Sequence, residues 1–399
     1  MSSFDAIDET ITAPRLAARF IRSLVPQPCF GSLKVIMPAG QRIELRGPLA
    51  GPEAVLVVKR WRALWKLLRG GEIGFAEAFI EGDWTTPDLT QLLEWALRNE
   101  KASGVYRGHV GARLMRRLAH GLRANTKRGS RRNIAAHYDL GNDFYKLWLD
   151  PSMSYSSAVY ANPDETLEQA QQRKLDRIVA LLDNPDDKGV LEIGFGWGGV
   201  LERLAGNHNC RMTGLTLSTE QLSFSGARLG KLDLSADLRL QDYRDVEGKF
   251  DRIVSIEMLE AVGEKYWPVY FRKLRACLKP GGTCVLQVIT IDEARFADYR
   301  AHPDFIQAYV FPGGMLPTKT AVRESAIAAG FTLGAEEAFG QSYALTLREW
   351  RKRFLDKASD VSALGLDSRF RRMWEYYLAY CEAGFLCGSV DVSLIQLKG

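Results

Sequence analysis

The chain reads as an α/β protein: a doubly wound, mainly parallel sheet preceded by a smaller α+β domain. Three observations predict this. From residue 189 onward, short apolar runs alternate with helical segments, the pattern of strand–helix–strand units. Over residues 1–100, strand-like and helical pieces are mixed without that alternation. The chain has 399 residues, 46% hydrophobic and 25% charged, which suits two globular domains with ordinary cores.

In the domain at 1–100, SLKVIMP, RIELRG and AVLVVK are the predicted strands, and the apolar segments Trp61–Leu68 and Leu89–Leu97 the helices. Trp61, Trp65, Trp84 and Trp95 are expected in its core, because rings of that size carry much of a small core's buried area. A connector at 101–132 follows. Lys101, Arg107, Arg113, Arg116, Arg117, Arg123, Lys127, Arg128, Arg131 and Arg132 succeed one another with no acid before Asp139. Leu114, Met115, Leu118 and Leu122 interleave them at roughly helical spacing. That predicts an amphipathic helix for an anionic membrane surface, where each cation contributes about 1 kcal/mol, with a solvated linker as the plain alternative. No nucleic-acid recognition motif accompanies the charge, so no nucleic-acid partner is expected.

The third segment, 133–399, carries the alternation: GVLEIG, helical VLERLA, MTGLTL, a helix through Gln221–Leu229, LRLQDY, FDRIVSIEM, a helix through Tyr270–Leu278, a KPGG turn and TCVLQVITI. Ligands in such sheets sit beyond the carboxyl ends of the strands. The first residues carry early acids and no apolar core, and no run approaches the ~18 apolar residues of a spanning helix. The expected location is therefore cytoplasmic, peripheral at the inner membrane face. Six cysteines without a CxxC pair and five scattered histidines offer no metal-ligand spacing.

Three motifs fall at strand ends. Glu192-Ile193-Gly194-Phe195-Gly196-Trp197-Gly198-Gly199 is a strand, glycine turn and helix start, where glycines let the backbone approach a ligand. The second strand ends in Thr216 and Ser218 with Gln221 a turn on, hydroxyls and an amide suited to an amino-acid tail or ribose rather than the acid a hydride-transfer site wants. Gln241-Asp242-Tyr243-Arg244-Asp245 closes the third strand, placing an acceptor and a ring for adenine. Ser255 to Gly263 (SIEMLEAVG) follows the fourth; Glu257 and Glu260 would share a face if it opens a helix, and a plain helix-start acid is the alternative for one of them.

Together with Ala136–Tyr145 (AHYDLGNDFY), Tyr155–Ala158 (YSSA) and Phe311–Gly314 (FPGG), these motifs resemble, in order, the cyclopropane-fatty-acyl-phospholipid synthases and the related mycolic acid methyltransferases, over roughly residues 55–397. The resemblance implies a Rossmann-like class I methyltransferase fold and S-adenosylmethionine held by Tyr155, Ser156, Gly194, Gly196, Thr216, Gln221, Gln241 and Asp242. Glu192 and Tyr243 join them from the reading of the residues. It also implies an insert, at about 293–350, that shapes an acyl tunnel around Phe305, Tyr309, Phe311 and Leu316.

In the family a bicarbonate, cradled by a cysteine, a glutamate, a histidine, a tyrosine and an isoleucine backbone, takes the proton that the reaction releases. Glu260, Tyr343 and Ile289 match that pattern, whereas Ser157 stands for the cysteine, Gln287 for the histidine and Ala261 for the histidine after the glutamate. Serine and glutamine still donate hydrogen bonds, so bicarbonate is an expected ligand, but no imidazole is left to share the proton. The expected activity is addition of a one-carbon unit to the double bond of unsaturated phospholipid acyl chains through a carbocation, with a methyl-branched alkenyl chain favoured over a cyclopropane ring. A branched alkene would call for a downstream reductase or desaturase as partner. The aromatic cluster Trp374, Tyr376, Tyr377, Tyr380 and Phe385 leaves internal packing and a homodimer interface both open. Two rival readings are a methyltransferase for a soluble acceptor and a lipid-binding protein with a degenerate site.

Overall fold

The computed structural model describes residues 28–100 and 140–399. The basic connector and the AHYD part of the 136–145 motif lie outside the described residues. Two compact units result, 28–100 with 366–387 and 140–365 with 388–399.

The first unit is a four-stranded sheet covered by helices. Its strands β1 (Phe30–Ile36), β2 (Arg42–Arg46), β3 (Leu49–Val58) and β4 (Trp84–Thr85) lie in the order β2-β1-β3-β4, with β1 and β3 parallel. Helix Leu89–Arg98 starts at Asp88, whose side chain accepts the Gln91 N–H, and its buried Leu92, Leu93 and Trp95 are spaced to form one face. Helix Ser368–Leu386, from far along the chain, joins this unit, where Thr90 Oγ1 donates to the buried Glu382 carboxylate at 2.8 Å. Trp374, Tyr376, Tyr377 and Phe385 are buried there, so four of the five C-terminal aromatics serve internal packing.

Trp84 and Trp95 are core residues as expected, but Trp61 and Trp65 are exposed. The first turn of helix Arg62–Ile80 points Ala63 and Leu64, not the tryptophans, inward; the helix breaks further on, at Gly71 (φ 58°, ψ −140°). Gly74 allows the two halves to cross closely, since a Cβ there would run into the backbone carbonyl of Lys66.

The second unit holds a seven-stranded sheet, β5 (Gly189–Ile193), β6 (Arg211–Thr216), β7 (Asp237–Leu240), β8 (Phe250–Ile256), β9 (Leu278–Ile291), β10 (Thr332–Ala338) and β11 (Val390–Lys398), ordered β10-β11-β9-β8-β5-β6-β7. Strands β5 to β9 are parallel, but β11 runs antiparallel to both β9 and β10, so the sheet is mixed rather than parallel throughout. Strand β9 also runs through KPGG, where a turn was expected, because Gly281 and Gly282 bond to Gly399 at the end of β11.

Alternate residues of the central strands feed two cores. Leu191, Ile253 and Leu286 face helices Trp267–Cys277 and Lys319–Ala328, while Val190, Val254 and Val285 face helices Leu167–Leu181 and Gly199–Asn207. The expected insert shrinks accordingly. Helix Glu293–Ala301 and a π-helical turn, Ile306–Val310, follow β9, with Phe296 and Tyr299 of the helix packed against the core, whereas residues from Lys319 onward supply sheet-packing helices and β10.

Gly74→Ala should destabilise the first unit by about 2–3 kcal/mol, because the added methyl meets backbone that cannot move aside. A clear drop in thermal unfolding temperature, set beside a Gly230→Ala control at an open helical position, which should not lower it, would bear this out.

Candidate active site

The strand order reverses at β5: β6 and β7 follow on one side, β8 and β9 on the other. Such a switch point opens a crevice at the carboxyl ends of the strands. Here it lies between the glycine loop after β5 and the Ser255–Glu260 segment after β8, which touch where a Cβ on Gly194 would meet the Met258 side chain at 3.1 Å.

Gly194 (φ 80°), Gly196 (φ 53°) and Gly198 (φ 86°) all need left-handed backbone, and a Cβ on Gly196 would point into open space. Glu192 ends β5 fully buried, its Oε2 without a hydrogen-bond partner. Burial pushes its carboxyl up to about 8, opposed by the charge of Lys174. An orphaned acceptor beside an open glycine turn fits the hydroxyls or ammonium of S-adenosylmethionine.

Thr216 Oγ1 donates to Gln221 Oε1 at 2.8 Å, and Ser218 caps the helix Thr219–Lys231. Asp242 accepts from Arg244 Nε at 2.8 Å and Nη2 at 2.6 Å, while Gln241 Nε2 donates to the Asp245 carbonyl at 2.9 Å. Asp242 is thus one half of an ion pair rather than a lone acceptor. Tyr243 departs from the expectation: its ring is core, edge-on to Tyr270 with centroids 5.3 Å apart, because the chain turns inward at the short helix Tyr243–Asp245. Tyr155 sits among the rings of Tyr145, Trp148 and Trp350, each centroid within about 5.5 Å. Ser156 accepts from the buried Lys174 Nζ at 2.8 Å, and its carbonyl accepts from Gln171 Nε2 at 3.0 Å.

The carboxylate that organises the pocket is Glu257. Its Oε1 accepts the Ser157 backbone N–H at 2.9 Å and Gln287 Nε2 at 2.7 Å; its Oε2 accepts the Tyr343 hydroxyl at 2.7 Å. Its backbone is left-handed (φ 49°), and its own N–H bonds the Gln287 carbonyl at 2.8 Å. A glutamate in that conformation costs roughly 1–2 kcal/mol, a cost tolerated only where the surroundings enforce it. Instead of a regular helix, one 3-10 turn, Leu259–Ala261, follows.

Four of the residues assigned to a bicarbonate are therefore placed differently. Tyr343 and Gln287 bind Glu257 rather than a small anion. Ser157 contributes its backbone N–H, while its hydroxyl turns to the Ala158 carbonyl at 2.9 Å. Glu260 accepts the Ile289 backbone N–H through Oε1, as a matched pair, but its Oε2 is buried without a partner. With the donors already holding a protein carboxylate, the residues present do not fit a bicarbonate in that cradle.

Burial and the neighbouring Glu257 charge push Glu260 up to about 8. Burial also raises Glu257, but Ser157, Tyr343, Gln287 and Lys174 all work to keep it ionised. Of the expected tunnel residues, Phe305 is buried and stacks on Tyr309 at 5.4 Å, Tyr309 faces out, and Phe311 and Leu316 are half-buried. Between the last two, Met315 donates its N–H to the Glu260 carbonyl at 2.8 Å, which ties the apolar insert to the carboxylate pocket.

A glycine loop at the switch point of a seven-stranded sheet with β11 reversed, an orphaned acid at the end of β5 and a buried carboxylate after β8 together define a class I S-adenosylmethionine-dependent methyltransferase. The mycolic acid cyclopropane synthetase family matches residues 125–395, and the chain belongs to it. It is 38% identical over 345 residues to the tuberculostearic acid methyltransferase UfaA1 of Mycobacterium tuberculosis, covering 81% of this chain and 78% of that one. It is 35% identical over 329 residues to the cyclopropane-fatty-acyl-phospholipid synthase of Escherichia coli, covering 82% and 83%. The crystal structure of mycolic acid cyclopropane synthase CmaA1 with SAH and CTAB superposes with a TM-score of 0.64 at 30% identity, over 67% of this chain and 98% of that one.

Glu192→Ala should weaken binding of S-adenosylhomocysteine at least ~10-fold, the loss of one or more hydrogen bonds to a charged group. Isothermal titration checks this, with circular dichroism as the control for folding.

Proposed function

We propose that the chain methylates the double bond of unsaturated fatty acyl chains of membrane phospholipids and that Glu257 is the base that completes the reaction. The observation that carries this reading is the Glu257 carboxylate, held by three donors at the ends of β8 and β9 and joined through Glu260 to the apolar Phe311–Leu316 segment. The names of two relatives, a fatty-acyl-phospholipid synthase and a tuberculostearic acid methyltransferase, support a lipid acyl substrate.

S-adenosylmethionine supplies an electrophilic methyl group. The glycine loop and Glu192 bind its carrier; the insert positions the alkene and excludes water, which is most of what such a reaction needs from a protein. Once the alkene has taken the methyl, its second carbon is a cation, and a proton must leave an adjacent carbon. Glu257 takes that proton. Glu260, raised to about 8, stays protonated near neutral pH and adds no second negative charge.

Gln287 and the Ser157 N–H donate to Glu257 but cannot relay a proton, so deprotonation follows the reach of one fixed carboxylate. We propose that it acts on a chain carbon and leaves a methyl-branched alkene. The test is incubation with methyl-labelled S-adenosylmethionine and monounsaturated phospholipid, followed by mass spectrometry and proton NMR of the released fatty acids. Vinylic protons with a branch methyl are expected; cyclopropyl protons would overturn this product.

Glu257→Gln should lower kcat at least ~100-fold, the usual scale for a lost general base. Glu257→Gly opens the cradle, so added bicarbonate should restore part of its rate, whereas the native enzyme should ignore bicarbonate depletion. Equal sensitivity of both to bicarbonate would sink the role given to Glu257. In Tyr343→Phe, the carboxylate loses a donor that favours its charged form. Its raised pKa rises further, so the acid limb of the kcat profile should move to higher pH and activity near neutrality fall about tenfold.

A further inference from the structure

Residues 59–69, KRWRALWKLLR, carry five cations and no acid. Trp61 and Trp65 lie one helical turn apart, 50% and 61% exposed, although all seven other tryptophans of the chain are buried. Ala63 and Leu64 already fill the core side, so the first unit does not need these two rings. Lys59, Arg60, Arg62 and Arg69 are exposed on the same short stretch, and the Arg69 guanidinium sits 6.0 Å from the Trp65 ring centre.

The arrangement is built rather than loose. Asp83, wholly buried, holds Arg62 Nε at 2.7 Å, Arg60 Nη1 at 3.4 Å and Lys66 Nζ at 3.5 Å, and Glu81 also meets Arg62 and Lys66. These two carboxylates pin the cations around the tryptophans and leave the face positive. Amphipathic rings flanked by arginine and lysine match the headgroup zone of an anionic bilayer, where the rings enter the acyl boundary and the cations meet phosphates.

We infer that the Trp61–Trp65 face docks on an anionic phospholipid bilayer. The choice of a bilayer as occupant rests on the reading of phospholipid acyl chains as substrate, together with the charge of the face. This surface is separate in sequence from the basic stretch 101–132, which contains no tryptophan.

The full chain is mixed with phosphatidylcholine vesicles, with and without phosphatidylglycerol, and followed by co-sedimentation and tryptophan emission. Because the other seven tryptophans are buried, a blue shift on anionic vesicles reports Trp61 and Trp65. Trp61→Ala with Trp65→Ala should abolish the shift and weaken binding about tenfold or more. Lys59→Gln with Arg69→Gln, which leaves the Asp83 anchor intact, should weaken binding at low salt and flatten its salt dependence. Methylation of the same phospholipid dispersed in detergent should be unchanged in both variants; its absence in the native enzyme would instead fault the substrate reading. Unaltered vesicle binding in the tryptophan variant, no blue shift in the native protein, or a dimer mass by light scattering in the native protein that falls to a monomer's in the tryptophan variant would overturn the docking surface.

Discussion

The pocket depends on one constraint: a glutamate side chain held at a backbone position that disfavours it. Glu257 adopts φ 49° directly after β8, and that turn aims its carboxylate at donors from three other segments, Ser157, Gln287 and Tyr343. The strain is offset by charge-assisted hydrogen bonds, each stronger than its neutral counterpart, and by the Glu257 N–H bond to the Gln287 carbonyl. Loop, strand β9 and helix Gly340–Asp356 are thereby fixed to a single carboxylate.

Two carboxylates three residues apart then divide the work through their surroundings. Glu257 has three donors and the field of Lys174; Glu260 has one backbone donor, an orphaned oxygen and a negative neighbour. Groups pushed apart in this way take different protonation states at one pH. Lys174 links this pair to the cofactor side. It donates to Ser156, whose neighbour Ser157 bonds Glu257, and its charge also acts on Glu192. Burial lowers the lysine to about 8, so the cation that favours both acids titrates in the range where Glu192 and Glu260 do.

The fold was legible where apolar period and turn chemistry coincide. Strands β5, β6, β8 and the apolar half of β9 read directly from runs such as GVLEI and VLQVITI, because a buried parallel strand is apolar on both faces. Strand β10, TLGAEEA, is an exposed edge with almost no apolar signal, and the place of helix Ser368–Leu386 in the first unit is a long-range choice that no local pattern encodes. Ring size alone suggests burial for Trp61 and Trp65; which face of their helix turns inward is decided by Ala63 and Leu64, a tertiary choice that residue type only permits. Within the site, the tight turn after β5 was legible from its glycines. Glu257 was visible as half of a carboxylate pair, yet its role required knowing that the turn after β8 is left-handed and that Ser157 and Tyr343, 186 residues apart in sequence, converge on it.

The substitutions in the pocket make sense as one change rather than several. Once a protein carboxylate stands in the anion cradle, an imidazole at position 287 would be its ion-pair partner. When protonated, it would hold Glu257 as a stable anion and depress its pKa, which weakens a base; when neutral, it would compete for the departing proton. The Gln287 amide has neither effect. It donates at 2.7 Å and never titrates, so it orients the carboxylate without neutralising it. A thiol at position 157 is equally dispensable, since the backbone N–H supplies the contact and the serine hydroxyl is spent on the Ala158 carbonyl. Serine at 157 and glutamine at 287 are therefore both compatible with a carboxylate at Glu257. The donors left at positions 157, 287 and 343 all converge on one carboxylate of the chain itself.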